Sequence, residues 1–178
     1  MIETKYLRDN PQNVKKLMAI PVLRKYESKN LGLLLKLSKI RKYKRGEAII
    51  KEGETDPWIY FLLSGRVRVE KEGIRIGTIS KTGEVFGEMS ILDGMARSAS
   101  VHAETETLCM AVDTSATNTL PFDARTDILL LLYRVFMEYT TNRLRSTNEE
   151  LVRTKKKAST NPSEEKDASD KGTWEFVW

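Results

Sequence analysis

Between Ile40 and Asp113 the hydrophobic pattern has a period of two, and glycines punctuate it. The runs are Ala48–Lys51, Trp58–Leu63, Arg66–Lys71, Ile74–Ile79, Ala99–Glu104 and Leu108–Asp113. In Arg66-Val-Arg-Val-Glu70 the valines face one way and the charges the other, as in a half-buried strand. Glu72-Gly73 reads as the turn of a hairpin. Many short strands with glycine turns fold into a sandwich or a barrel. The flanks change period. Residues 10–38 read as helical, broken or kinked at Pro21, with Ser28 as the cap of a second helix through Leu31, Leu34, Leu35 and Leu37. Residues 123–152 read as one long helix, with Asp123 as its cap. Ile128, Leu132, Val135 and Tyr139 form its apolar seam, to be buried on the β domain or on a second copy.

Within the β region, Gly83 to Val101 carries the chemistry. Gly87 lets a ligand approach the backbone, because it has no Cβ. Glu88–Leu92 reads as one helical turn, whose free N–H groups favour an anion. Arg97 can bring a guanidinium fork to that anion. Glu88 repels phosphate, so it is expected to accept hydrogen bonds from ribose hydroxyls. An anion site beside a hydroxyl site describes a ribose phosphate.

The segments Phe86-Gly-Glu-Met-Ser-Ile91 and Arg97-Ser-Ala-Ser-Val101 resemble the phosphate-binding cassette of cyclic nucleotide-binding domains. Upstream, Lys44–Gly53 and Ile59–Val69 resemble that family's glycine-punctuated early strands, and the resemblance covers roughly residues 30–150. It implies a mainly β fold with flanking helices: a double-stranded β-helix (jelly roll) with N-terminal helices and a long C-terminal helix. The organisation that follows is 1–38 helical, 39–122 the β-roll with cassette 83–101, 123–153 a lid or dimer helix, and 154–178 a tail. The implied ligand contacts are Phe86, Gly87, Glu88, Met89, Ser90, Arg97, Ser98 and Ala99. Arg97 would hold the cyclic phosphate and Glu88 the ribose 2′-hydroxyl, with Ser98 assisting. Aligning Arg143-Leu144 with the Arg-Leu pair of the catabolite activator branch puts Thr147 and Asn148 at the adenine-contacting positions. An asparagine can both donate to and accept from adenine; the alternative is that these residues only keep a surface helix soluble. A hydroxyl after the cassette arginine, here Ser98, occurs in binders of either nucleotide, and the expectation is cyclic AMP over cyclic GMP.

Other classes are argued against by what surrounds the cassette. No apolar run approaches the roughly 20 residues of a membrane span, and Met1-Ile-Glu-Thr-Lys5 has no signal core. The single cysteine, Cys109, in the run Leu108–Val112, reads as a buried thiol in a cytoplasmic protein. The net charge of +5 raises nucleic acid as a partner, but Arg41–Arg45 reads as the solvated face of a strand and Arg153–Lys157 as the start of a polar tail. No recognition helix fits after residue 153. His102 is the one histidine and reads as structural, so neither a metal nor an enzyme activity is expected. Thr154–Thr173 is predicted to be disordered, yet the chain ends in Trp174-Glu-Phe-Val-Trp178. That motif folds back, docks on a partner by adding a strand, or is a tolerated tail. Two readings survive: a stand-alone cyclic nucleotide sensor signalling to a partner protein, with a homodimer through the 123–150 helix as a possible form, and a ligand-free interaction or scaffold domain.

Overall fold

The structure is a computed structural model that describes residues 1–5, 7 and 11–159. Two compact units divide the chain, Met1–Thr140 and Thr141 onward.

The first unit opens with strand β1 (Ile2–Glu3) and helices α1 (Pro11–Met18) and α2 (Ser28–Lys36). Proline suits the first helical position, where its missing N–H has no partner to lose, and α1 ends before Pro21. In α2, Leu31, Leu34 and Leu35 are buried at the spacing of one helix face. Seven strands follow up to the cassette and beyond it: β2 (Ser38–Tyr43), β3 (Ala48–Ile50), β4 (Trp58–Ser64), β5 (Val67–Lys71), β6 (Ile74–Ile79), β7 (Val85–Phe86) and β8 (Ser100–Ala103). Helix α3 (Met89–Asp93) lies between β7 and β8. Strand β9 (Thr107–Asp113), a 3₁₀ turn at Ser115–Thr119 and helix α4 (Phe122–Ser159) complete the described chain.

The strands form two antiparallel sheets, ordered β1-β2-β9-β4-β7 and β3-β8-β5-β6. Period-two alternation gives the first sheet two buried faces. Ile59, Phe61, Val85, Met110 and Val112 join a core with the leucines of α2 and with Ile128, Leu131, Leu132, Val135 and Phe136 of α4. Tyr60, Leu62, Phe86, Cys109 and Ala111 point the other way, onto Ile50, Val67, Val69, Ile79 and Val101 of the second sheet. The seam Ile128, Leu132 and Val135 is therefore buried in the chain's own core, with Tyr139 against it. Between β5 and β6, Glu72 (φ 52°) and Gly73 (φ 77°) make the two-residue turn with both φ positive that strand twist favours.

Five expectations need correction. Ser28 is the first residue of α2, whose N-cap is Glu27, and Asp123 lies in the first turn of α4, which begins at Phe122. The basic run at Arg41 is not wholly solvated. Arg41 is only 8% exposed, because β2 is an inner strand and the register sets Arg41 opposite Cys109, whose side chain lies inside the roll. Strand β1, paired on the far side of β2, went unforeseen. And α4 runs on through Ser159, so residues 154–159, expected in the disordered tail, are helical. Lysine and alanine are good helix formers, and lysines suit a helix C-terminus. The motif Trp174–Trp178 and the rest of the tail lie outside the described residues. No helix among them is long and apolar enough to cross a membrane.

Candidate functional site

The cassette is a strand, a tight turn and a helical turn, fastened in that order. Gly83 N–H donates to Leu62 O (2.7 Å) and Leu62 N–H to Glu84 O (2.9 Å), which extends the pairing that sets Phe86 opposite Tyr60. The two rings stack inside the roll, 5.2 Å apart and 10° from parallel. Gly87 then turns the chain at φ +81°. A Cβ there would stand 2.9 Å from Arg97 Nη1 and 2.9 Å from Ile50 Cδ1, so glycine is demanded both by the backbone angle and by the guanidinium beneath it. Glu88 is the N-cap residue of α3, and Gly94 closes that helix in the left-handed region.

Arg97 is where the site converges. Its backbone pairs with the loop before β4: Arg97 N–H donates to Glu54 O and Gly53 N–H to Arg97 O, each at 2.9 Å. That stitch brings Asp56 to the guanidinium. Nε donates to Asp56 Oδ2 (3.0 Å) and Nη2 to Asp56 Oδ1 (2.5 Å). Nη1 donates to Gly87 O (2.5 Å) and Ser90 Oγ (2.8 Å), and Nη2 also to Trp58 O (2.5 Å). All five guanidinium N–H groups thus have protein acceptors, and the side chain is 2% exposed. The fork is rigidly aimed. An incoming anion must share or displace one of these acceptors, and Ser90 Oγ, a neutral side chain, is the least costly to displace.

The remaining cassette residues surround this cradle. Glu88 is buried (5%), and Phe86 lies in the roll interior. Ser90 and Ala99 are half-buried, Met89 and Ser98 exposed, and the Ser98 hydroxyl lies 3.7 Å from Met89 Sδ. Arg143, Thr147 and Asn148 belong to the second unit and are exposed. The Thr147 hydroxyl donates back to its own helix, to Arg143 O at 3.0 Å.

Sequence reasoning missed Asp56. Its place before Pro57 signals a turn, and Oδ1 does accept Trp58 N–H at 2.9 Å, but nothing local ties it to an arginine 41 positions away. A second buried cluster was also missed. Arg41 lies 3.8 Å over the Trp58 ring, donates to Tyr60 Oη (2.9 Å) and pairs with Glu3 (2.5 Å). Burial pushes the Tyr60 hydroxyl up from its ordinary pKa and raises that of the Cys109 thiol to about 12. His102 sits in β8 with Nδ1 3.3 Å from Glu70 Oε2.

Comparisons with known proteins fall on this region. The family model described as the cyclic nucleotide-binding domain matches residues 40–121. The cAMP-dependent protein kinase regulatory subunit of Emericella nidulans is 44% identical over 66 residues, 36% of this chain and 16% of that protein. A cGMP-dependent protein kinase of Eimeria tenella is 34% identical over 73 residues, 41% of this chain and 7% of that protein. The chain thus spans less than a fifth of the length of either. Among solved structures, a cyclic nucleotide-binding domain from Methylobacillus flagellatus superposes with a TM-score of 0.65 at 20% identity, covering 80% of this chain and 84% of the other. That likeness establishes the fold.

Proposed function

We propose that this chain, whose residues 40–121 belong to the cyclic nucleotide-binding domain family, is a regulator that binds cyclic AMP in preference to cyclic GMP and relays occupancy to a partner protein through its C-terminal helix. The observation that carries the reading is the buried, bidentately held guanidinium of Arg97 beneath Gly87. Few structural needs call for an arginine held so tightly beside a Cβ-free backbone. In this reading Arg97 takes the cyclic phosphate in place of Ser90, and Ser98 and the neighbouring Ala99 line its approach. Glu88 accepts from the ribose 2′-hydroxyl, with Gly87 and Met89 offering backbone groups, and Phe86 forms the floor. Base choice is assigned to Arg143, Thr147 and Asn148. Ligand shifts the helix only as far as it prefers one arrangement over another.

Two partners are proposed. Trp174–Trp178 is assigned to capture of a protein partner. A second copy of the chain is assigned to the outer stripe of α4, where Leu130, Met137, Leu144 and Leu151 are all more than half exposed at seven-residue intervals. The first seam, being buried, is not free to serve.

Isothermal calorimetry of the full chain tests the reading. Cyclic AMP is expected to bind at least tenfold more tightly than cyclic GMP. Its 2′-deoxy analogue should bind several-fold more weakly, since the hydrogen bond from the 2′-hydroxyl to the buried Glu88 carboxylate is then lost. Losing one charge-assisted contact of roughly 1.5–3 kcal/mol, Arg97→Ala should lose about one to two decades of affinity. Arg97→Lys cannot restore it, because an ammonium does not reproduce the fork. No heat with either nucleotide would leave the second reading, a ligand-free interaction domain.

A further inference from the structure

Asp56 and Ser90 do not face Arg97 alone. Both also line an opening of about 610 Å³ in the first unit, bounded by the loop before β4, by α3, by the 3₁₀ turn and by the first turns of α4. The size falls within the range of small-molecule sites, and the cyclic nucleotide reading gives this space no role.

Several of its hydroxyls are already satisfied: Thr114 donates to Pro57 O at 2.9 Å and Thr117 to Thr114 O at 2.7 Å. Arg125 and Asn118 line the same opening, and among the described residues neither side chain makes a hydrogen bond or an ion pair. Arg125, Leu129 and Tyr133 follow one another at four-residue steps, so they form a single stripe along α4. From residue 125 to residue 133 the helix backbone rises about 12 Å, eight residues at about 1.5 Å each. Met95, 68% exposed, adds apolar surface to the wall. Among the described side chains lining the space the carboxylate is Asp56, neutralised by its bidentate pair with Arg97, so among them the charge left for an occupant is that of Arg125.

We propose that this opening is a second ligand site, for an organic anion with a flat aromatic body, and that it is coupled to the nucleotide site through Asp56 and Ser90. The anionic group pairs with Arg125 and Asn118 while the body lies along Leu129 and Tyr133. An occupant presses on two of the groups that hold Arg97, so it changes how readily the arginine releases Ser90 to a phosphate. Coupling of this kind is reciprocal: whatever factor the effector applies to the nucleotide's affinity, the nucleotide applies to the effector's. The coupling, though not the site, rests on the cyclic nucleotide reading.

The probe is 8-anilinonaphthalene-1-sulfonate, a sulfonate on a two-ring body, titrated by fluorescence into the full chain with and without saturating cyclic AMP. Arg125→Gln is expected to weaken it roughly two- to fivefold, the scale of an exposed charge pair, whereas Arg134→Gln on the same helix leaves it unchanged. Thermal melts confirm that both variants fold. Amide shifts on adding the probe should centre on residues 114–118 and 125–133. Equal affinity in Arg125→Gln and wild type, or shifts centred elsewhere, would overturn the site. A probe affinity indifferent to cyclic AMP, in protein that calorimetry shows to bind cyclic AMP, would overturn the coupling. If calorimetry shows no nucleotide binding, the functional reading fails and with it the coupling, while the Arg125 dependence still decides the site.

Discussion

Replacing Asp56 with asparagine tests the cradle at its most loaded point. The carboxylate receives Nε on one oxygen at 3.0 Å and Nη2 on the other at 2.5 Å, and that second oxygen also takes Trp58 N–H at 2.9 Å. An amide keeps one acceptor and turns its NH₂ toward a guanidinium N–H, donor against donor. Arg97, 2% exposed, cannot turn to water for a substitute. Removing one partner of a buried pair costs about 3–5 kcal/mol. The Asp56 side chain is 30% exposed, so water screens its side of the pair and lowers the cost to about 2 kcal/mol. In a chain of this length each kcal/mol shifts the melting temperature by about 2–4 °C, so the variant should melt about 4–8 °C lower. Urea and thermal unfolding beside Glu54→Gln provide the comparison, since among the described residues the Glu54 side chain pairs with the exposed Lys51 at 3.4 Å and leaves the Arg97 side chain untouched. Saturating cyclic AMP should raise the melting temperature of Asp56→Asn more than that of wild type, because the phosphate supplies the missing negative charge. A variant within about 0.5 kcal/mol of wild type, no worse than an ordinary surface change, would refute the reasoning.

Gly87→Ala forces a Cβ to within 2.9 Å of both Arg97 Nη1 and Ile50 Cδ1 at φ +81°; it should cost about 1–3 kcal/mol in urea unfolding, and an unaltered midpoint would show that the turn relaxes freely. Cys109, fully buried with its thiol pKa pushed up to about 12, should resist Ellman's reagent at pH 8 in native protein and react completely in guanidinium, whereas prompt native labelling would place it at the surface. Glu3 is held below its ordinary pKa of 4.5 by its hydrogen bond to Lys39 and by its pairing with Arg41. A depressed folded value means that the ionised carboxylate stabilises the fold above the unfolded pKa and that this contribution disappears as pH falls through the folded one. Glu3→Gln should therefore flatten part of the stability loss below pH 4.5, and an identical acid limb in the variant would contradict the pairing.

Features that depend on neighbours along the chain are legible in the amino-acid sequence. The strand Ile74–Ile79, the turn at Glu72-Gly73 and the helical turn at Glu88–Leu92 each follow from periodicity or from glycine's conformational range, and α3 begins within one residue of that expectation. Features that depend on register are not. Arg41 is buried because of which residue on β9 faces it, a pairing no local pattern encodes. Asp56 reaches Arg97 only because two backbone hydrogen bonds join their loops. The burial of the α4 seam against the chain's own roll is hidden for a similar reason: periodicity shows that a face must be covered, not what covers it. Strands β1 and β7, two residues each, are too short to show a period at all.

Strands β9, β4 and β7 of the first sheet are covered on both faces, and that fixes how small this protein can be made. The family match, 40–121, takes in the roll but excludes α1, α2 and α4. Expressed alone, that fragment would bare Ile59, Phe61, Val85, Met110 and Val112 together on one sheet surface, a contiguous apolar patch of the sort that drives aggregation. The stretch that can be recognised is therefore shorter than the stretch that can fold. A transplant of this domain into another chain must carry the flanking helices with it, and any rearrangement that lifts them from the roll works against the hydrophobic core itself.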